Sequence, residues 1–458
     1  MEQQARVDGG GVTLARIVDT KPFGAFQFGV LLLCLLSQMI DGFDNQASAF
    51  VAPALAGHWH VARGALGAVF SAGAFGTLVG ALAIGPLGDL IGRKTLIVVS
   101  LVLAALLMAA TGLVTSVGQL TMIRFLTGLP LGALVPGTVV IANEWSSARS
   151  RTATVTIMAC GFALGAVLGG LLSSVLLPKF GWPSVFFAGS AGSILIAAAV
   201  MFGMPESLRY LSLRPIDKRQ ARIAAILRRF DPTLDPATID AGGPAAAAPI
   251  AASGGNLVTG LFAQGRGPMT LVLWATYFMN MLVLNFMTFW LPTLLAGAGL
   301  TPAAAVRTST LFQLGGIAGV VLMGTIAVRV GSLRIIMAAL LLSAAAVALV
   351  GSLGGDGRNA AIAAAGFCII GIQASLAALA ATLYPTAIRS TGASWAMGIG
   401  RIGSTIGPLV GGLLIGRNWS LPQMFASIGL IAVCGFVFSL VLARRSQVAE
   451  PSAIPVQV

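Results

Sequence analysis

The sequence predicts an all-α membrane protein, with twelve transmembrane helices in two pseudo-symmetric six-helix halves. Three observations predict it. Of 458 residues, 57% are hydrophobic and only 9% are charged, against roughly 25% charged in an ordinary soluble domain. Apolar runs of about 20 residues, long enough to cross a bilayer as helix, recur between short polar breaks. Glycine landmarks of the first half return in the second at a nearly constant offset.

In chain order the apolar runs predict helices over 24–52, 64–87, 95–115, 119–142, 152–177 and 183–204. After a long polar stretch they predict 269–295, 304–328, 334–353, 359–384, 391–416 and 421–443. This divides the chain into a first half (1–205), a linker (206–267) and a second half (268–458). The linker starts charged, from Arg214 to Asp240, and ends rich in Ala, Gly and Pro. One or two amphipathic surface helices and a flexible remainder are expected there. The segment up to Lys21 is polar and lacks the apolar core and small-residue cleavage site of a signal peptide.

The charges orient the helices. The net charge is +13. Of the 27 lysines and arginines, five fall in loops on one side (Arg63, Lys179, Arg307, Arg358, Arg417). Two, Arg124 and Arg401, fall inside spans, and the other twenty lie on the side of the termini. That asymmetry predicts both termini in the cytoplasm. It also accounts for the positive charge through contact with anionic lipid head groups, without nucleic acid.

The halves look duplicated. Gly85-x6-Gly92, followed by Arg93 and Lys94, has a counterpart in Gly324-x6-Gly331, followed by Arg334, 239 residues on. Gly161, Gly165, Gly169 and Gly170 return as Gly403, Gly407, Gly411 and Gly412, 242 residues on. Two patterns at nearly one offset indicate a repeated six-helix unit.

The first predicted helix carries the strongest functional signal. Ser37, Asp41, Asp44 and Ser48 are spaced to share one helix face. A carboxylate at the centre of a membrane helix costs about 2.5–3.5 kcal/mol on insertion scales. A chain that carries two on one stripe is using the charges. The alternative, a pair of surface caps, sits poorly with apolar sequence running from Phe26 to Pro53. No nucleophile–base set, phosphate-binding lysine loop or metal motif occurs, so no enzyme activity, ATP hydrolysis, cofactor or metal is expected. His58 and His60 form a loop H-W-H without further ligands. Cys34, Cys160, Cys368 and Cys434 are scattered singly and are expected to be inert core residues.

G-P-L-G-D-L-I-G-R-K, residues 85–94, resembles the signature loop between helices 2 and 3 of the major facilitator superfamily of transporters. Arg124-x3-Gly128-x3-Gly132, the glycine ladder of helix 5 and Pro205-Glu206-Ser207-x-Arg209-Tyr210 agree with it, and the resemblance covers essentially the whole chain. Within that superfamily, Asp41-Gly42-Phe43-Asp44 is similar to the aromatic acid:proton symporters, which import benzoate-like or hydroxybenzoate-like carboxylates in bacteria. The resemblance implies transport roles for Asp41, Asp44, Asp89, Arg124 and Arg401, and a monomer in the inner membrane. The second-half loop departs from the pattern, with Val328 at the position matching Asp89.

Elementary chemistry fits an importer of this kind. Arginine forks onto a carboxylate with two parallel hydrogen bonds. Arg401, about ten residues into helix 11 and so near mid-membrane, is the first choice for the substrate carboxylate. Arg124 is a second choice, with pairing to a helix-1 aspartate or snorkelling as its other readings. Tyr277, Phe278, Phe286, Phe289 and Trp290 offer ring walls on helix 7, or ordinary packing. Asn280, Gln313 and Gln373 are mid-span polar groups that can meet a substrate hydroxyl or a neighbouring helix. Proton coupling needs a buried carboxyl, and burial and a second carboxylate both favour the neutral form. Asp41 and Asp44 are the candidates. Glu144 is another, with a salt bridge to Arg149 or Arg151 as its alternative role. Asp89 and Arg93 are expected at the inner gate, Asp89 capping helix-end donors or pairing across the halves. The rival readings are drug efflux, uptake of sugars or aliphatic acids, and a non-transporting sensor on the same fold.

Overall fold

The computed structural model describes residues 18–19, 23–147, 149–212, 225–226, 230, 257–385 and 388–448. Apart from 225–226 and 230, the surface helices predicted between Arg214 and Asp240 lie outside the described residues, as does the Ala/Gly/Pro-rich remainder. No strand occurs among the described residues.

Twelve helices are long and apolar enough to cross a membrane. They are α1 (Ala25–His58), α2 (Arg63–Ile84), α3 (Arg93–Thr111), α4 (Val117–Glu144), α5 (Arg151–Phe180) and α6 (Pro183–Gly203), followed by α7 (Gly267–Gly297), α8 (Pro302–Val330), α9 (Ser332–Ser352), α10 (Gly355–Leu383), α11 (Arg389–Gly416) and α12 (Leu421–Val448). The chain is a multi-pass membrane protein. Twelve crossings bring the start of α1 and the end of α12 to one side, the near end of the bundle; the opposite side is the far end.

Local chemistry starts and stops these helices. Proline falls in the first turn of α6, α7 and α8, where its missing N–H costs nothing. Ser116 and Thr301 cap α4 and α8, each accepting from a backbone N–H three residues on at 3.3 Å. α2 ends in a wider π-helical turn, Gly80–Ile84, just before Gly85-Pro86. Two boundaries differ most: the last helix runs to Val448 rather than 443, and the first runs past its expected end. The first helix was predicted to stop at 52, before Pro53, yet it continues to His58. A proline removes one ladder bond, and in a membrane bundle neighbouring groups absorb the loss.

The duplication is visible in the packing. α1 packs on α5, α2 on α4 and α3 on α6; α7 on α11, α8 on α10 and α9 on α12 repeat those pairs six helices later. The closest approaches repeat too. Gly76 and Gly80 of α2 lie on the backbones of Phe125 and Leu129 of α4. Gly315 and Gly319 of α8 lie on Ala363 and Phe367 of α10, displaced by 239 residues on the glycine side and 238 on the other. A Cβ at any of the four would run into a carbonyl.

The apolar core divides by depth. One cluster fills the far end and draws on both halves, from Phe43, Phe70 and Phe186 to Phe289, Phe312 and Phe425. Two further clusters fill the near end, one from the first half with Leu211 after it and one from the second half with Leu261 before it. Polar and aromatic bonds join the halves at the far end. Phe70 stacks on Phe289 with ring centroids 5.0 Å apart and meets Trp290 edge-on at 5.4 Å. Gln46 Nε2 donates to Thr288 O at 3.1 Å, and Ser71 Oγ to Thr405 O at 2.8 Å. The halves are therefore sealed together at the far end, while their near-end cores are separate.

Candidate functional site

The stripe on α1 forms the centre of the site. Asp41, Asp44 and Ser48 are 5%, 3% and 8% exposed. They line one cavity with Asn45, Thr77, Arg124 and Phe289. Its volume of about 30 Å³ holds one water, whereas benzene needs a cavity of about 150 Å³. Ser37 is not part of it; its hydroxyl donates back to Leu33 O at 2.8 Å.

Arg124 reaches this cavity from α4. Its Nη1 donates to both Asp44 carboxylate oxygens, at 3.0 and 3.1 Å, and to Ser48 Oγ at 3.1 Å. Its Nη2 donates to Thr111 Oγ1 at 2.7 Å, and its guanidinium lies 5.1 Å from the centre of the Phe186 ring. Of the readings open for Arg124, the structure shows the pairing with a helix-1 aspartate. A buried pair of this kind repays its desolvation only when its remaining donors are also satisfied. Ser48 and Thr111 satisfy the two Nη groups, while the buried Nε has no partner.

Asp41 is placed differently. Among the described residues no hydrogen bond or ion pair holds it. Its charged neighbours are Asp44, less than a turn away, and Arg401 from α11, close enough for the charges to interact through space. Asp41 belongs to the first half and Arg401 to the second, so the two halves face each other electrostatically at this point.

Arg401 is half-buried. Its neighbour Gly400 lies against Tyr277 and Met281 of α7. Gln373 of α10 donates from Nε2 to Met281 Sδ at 3.5 Å. Asn280 is 2% exposed; its Nδ2 makes a long 3.4 Å bond to Ile369 O, and its Oδ1 has no partner. The Tyr277 hydroxyl is also buried without a partner. The structure thus groups Tyr277, Asn280, Gln373 and Arg401 where α7, α10 and α11 meet. Of the other helix-7 aromatics, Phe289 lines the aspartate cavity as well as packing, and Trp290 and Phe286 pack in the far-end core. Phe289 and Trp290 belong to the far-end seal, and Phe286 meets Phe425 edge-on at 6.2 Å.

The near-end residues stand apart from this centre. Asp89 is about half exposed and accepts from Arg93 Nη2 at 2.6 Å, one turn along its own segment, rather than from a base across the halves. Glu206 accepts from the backbone N–H of Lys94 at 2.9 Å, tying the stretch after α6 to the start of α3. Glu144 lies about 30 Å along α4 from Arg124. It accepts from Ser207 Oγ at 3.0 Å and from the Leu208 N–H at 2.7 Å, holding the start of the short helix Leu208–Ser212. The structure does not bring Glu144 to the two aspartates. Arg151 is bonded to Asp19 instead.

No cluster that could hold a metal occurs among the described residues. Cys34 and Cys368 are buried as expected, but Cys434 is exposed on the side of α12. Sequence reasoning missed Thr111, Phe186, Gln46 and Ser71. Thr111 and Phe186 carry no local signal, since only the fold brings α3 and α6 to Arg124.

Comparison with known proteins now decides the family. The pattern of the Major Facilitator Superfamily matches residues 34–375. The chain belongs to this superfamily. It is a membrane transporter, not an enzyme. It is 36% identical over 423 residues to a gallate transporter of Pseudomonas putida, covering 91% of each chain. It is 36% identical over 417 residues to the 4-hydroxybenzoate transporter PcaK of Pseudomonas aeruginosa, covering 91% of this chain and 92% of that one. Among solved structures, a bacterial homologue of the human lysosomal transporter Spinster superposes with a TM-score of 0.72 at 14% identity, covering 94% of this chain and all of that one. That likeness speaks for the fold alone.

Proposed function

We propose that this superfamily member imports an aromatic carboxylate together with at least one proton across the bacterial inner membrane. The curated relatives that transport gallate and 4-hydroxybenzoate supply the substrate class. The charge asymmetry of the loops supports cytoplasmic termini, so the near end is the inside and the sealed far end the outside. In this reading the described state faces inward, and residues 1–205 and 268–458 rock about the site as a monomer. Asp89 and Arg93 serve the inner gate.

The observation that carries the reading is the contrast between the two aspartates. Asp44 is held by Arg124, whose guanidinium also donates to Ser48 and Thr111. Asp41 is equally buried, is bonded to no cation among the described residues and looks across the halves to Arg401. The charge of Arg401 can serve Asp41 or a substrate carboxylate. When it turns to the substrate, Asp41 is left as a buried charge without a counter-ion, which is costly. A proton removes that cost, so substrate and proton bind together. Tyr277, Asn280 and Gln373 offer hydrogen bonds around the ring, and the spare Tyr277 hydroxyl and Asn280 Oδ1 are polar groups in want of a partner.

Uptake of a panel of labelled acids, with and without a proton uncoupler, tests this. Aromatic monocarboxylates should accumulate, and the uncoupler should abolish accumulation. Preference for sugars, aliphatic acids or outward drug movement would replace the substrate assignment.

A further inference from the structure

A second recess lies at the far end, away from the aspartates. It has a volume of about 290 Å³ and is lined by Arg63, Thr293, Leu294, Ile415, Asn418 and Trp419 among others. We propose that this recess binds an aromatic monocarboxylate, and that it exists only while the far end is closed.

Its lining points to that chemistry. Arg63 is exposed and has no ion-pair partner among the described residues. Its guanidinium lies against Gly297, near enough that a Cβ there would meet Nη1 at 2.7 Å. A free arginine at the edge of a recess is a carboxylate receptor in waiting. Leu294, Ile415, Leu421 and Met424 give the recess apolar walls, and Trp419, 40% exposed, gives it a flat aromatic one. Thr293, 1% exposed, carries a hydroxyl with no partner. Since benzene fits about 150 Å³, the volume admits one ring with its carboxylate. This ligand chemistry is read from the recess itself and does not depend on what the central site carries.

The recess is built by both halves. Arg63 stands at the start of α2, and the other residues named stand on α7, α11, α12 and the α11–α12 loop. Moving the halves apart at the far end takes Arg63 away from them. A ligand held there favours the closed far end over the open one. Acid in excess on that side then slows the reopening that import requires.

The test uses the full chain in right-side-out membrane vesicles, with Ala298→Cys as a reporter in the recess and an impermeant maleimide as the label. Benzoate is the probe and benzamide its uncharged counterpart. Benzoate should slow labelling at concentrations at least about tenfold lower than benzamide, and Arg63→Gln should weaken protection by about tenfold or more. Arg63→Lys should retain part of it. A second reporter, Lys179→Cys, sits at the far end outside the recess and should not be protected. Equal protection by benzoate and benzamide, no effect of Arg63→Gln, or equal protection at both reporters would overturn the proposal. Labelling needs no transport, so failure here leaves the central site untouched, and failure to import benzoate leaves this readout intact.

Discussion

In the first half, Gly76 and Gly80 seat α2 on α4; in the second, Gly315 and Gly319 seat α8 on α10 in the same way. The charges do not follow. Carried across at the offset of 238, Arg124 becomes Ile362, which is fully buried among apolar neighbours. α1 maps to α7 at 242 or 243, as Gly165 on Met39 and Gly407 on Leu282 show. Asp41 then meets Val283 or Leu284, and Asp44 meets Phe286 or Met287. Among the described residues the cation that the second half brings to this point is the half-buried Arg401. A duplicated scaffold needs glycines in both copies, because helix contact is a property of each half. In the proposed transport cycle a charge site is needed once, because a site between the halves is shared by both. The scaffold is symmetric and the chemistry is not.

That comparison can be broken at its charged and its uncharged points. The largest loss should come from Arg124→Gln, which leaves Asp44 buried and unpaired at a cost of about 3–5 kcal/mol. The double change Arg124→Gln with Asp44→Asn should recover much of it, and thermal melting in detergent reads both. An additive double change would remove the pair from the account. Next comes Arg401→Ala, expected to weaken binding of the carboxylate by at least about 2 kcal/mol while barely changing binding of an uncharged ring analogue. Equal losses for both ligands would take Arg401 out of the carboxylate site. The uncharged points come last. Gly76→Ala and Gly315→Ala should each cost about 1–3 kcal/mol through overpacking, by similar amounts. A large effect at one and none at the other would show that the scaffold symmetry is only geometric.

Much of this was legible in the chain. Apolar runs of bilayer length announce twelve helices, and the repeated glycines announce two copies. Asp41, Asp44 and Ser48 declare one face by spacing alone. The limits are physical as well. Pro53 reads as a stop, but in a bundle it is absorbed within α1. The distance between Glu144 and the aspartates follows from helix rise, yet its bonds to Ser207 and Leu208 depend on a turn that sequence does not show. Thr111 and Phe186 reach Arg124 only because α3, α4 and α6 converge. The difference between Asp41 and Asp44, two carboxylates three residues apart, is set by which arginine each one faces.

That difference is the central claim, and Asp41→Asn tests it most directly. The variant is reconstituted in vesicles, loaded with unlabelled acid for exchange or left empty under an imposed proton gradient. The account predicts that exchange of labelled for unlabelled acid survives while gradient-driven accumulation is lost. Accumulation at the unmodified level would contradict it and move the proton elsewhere.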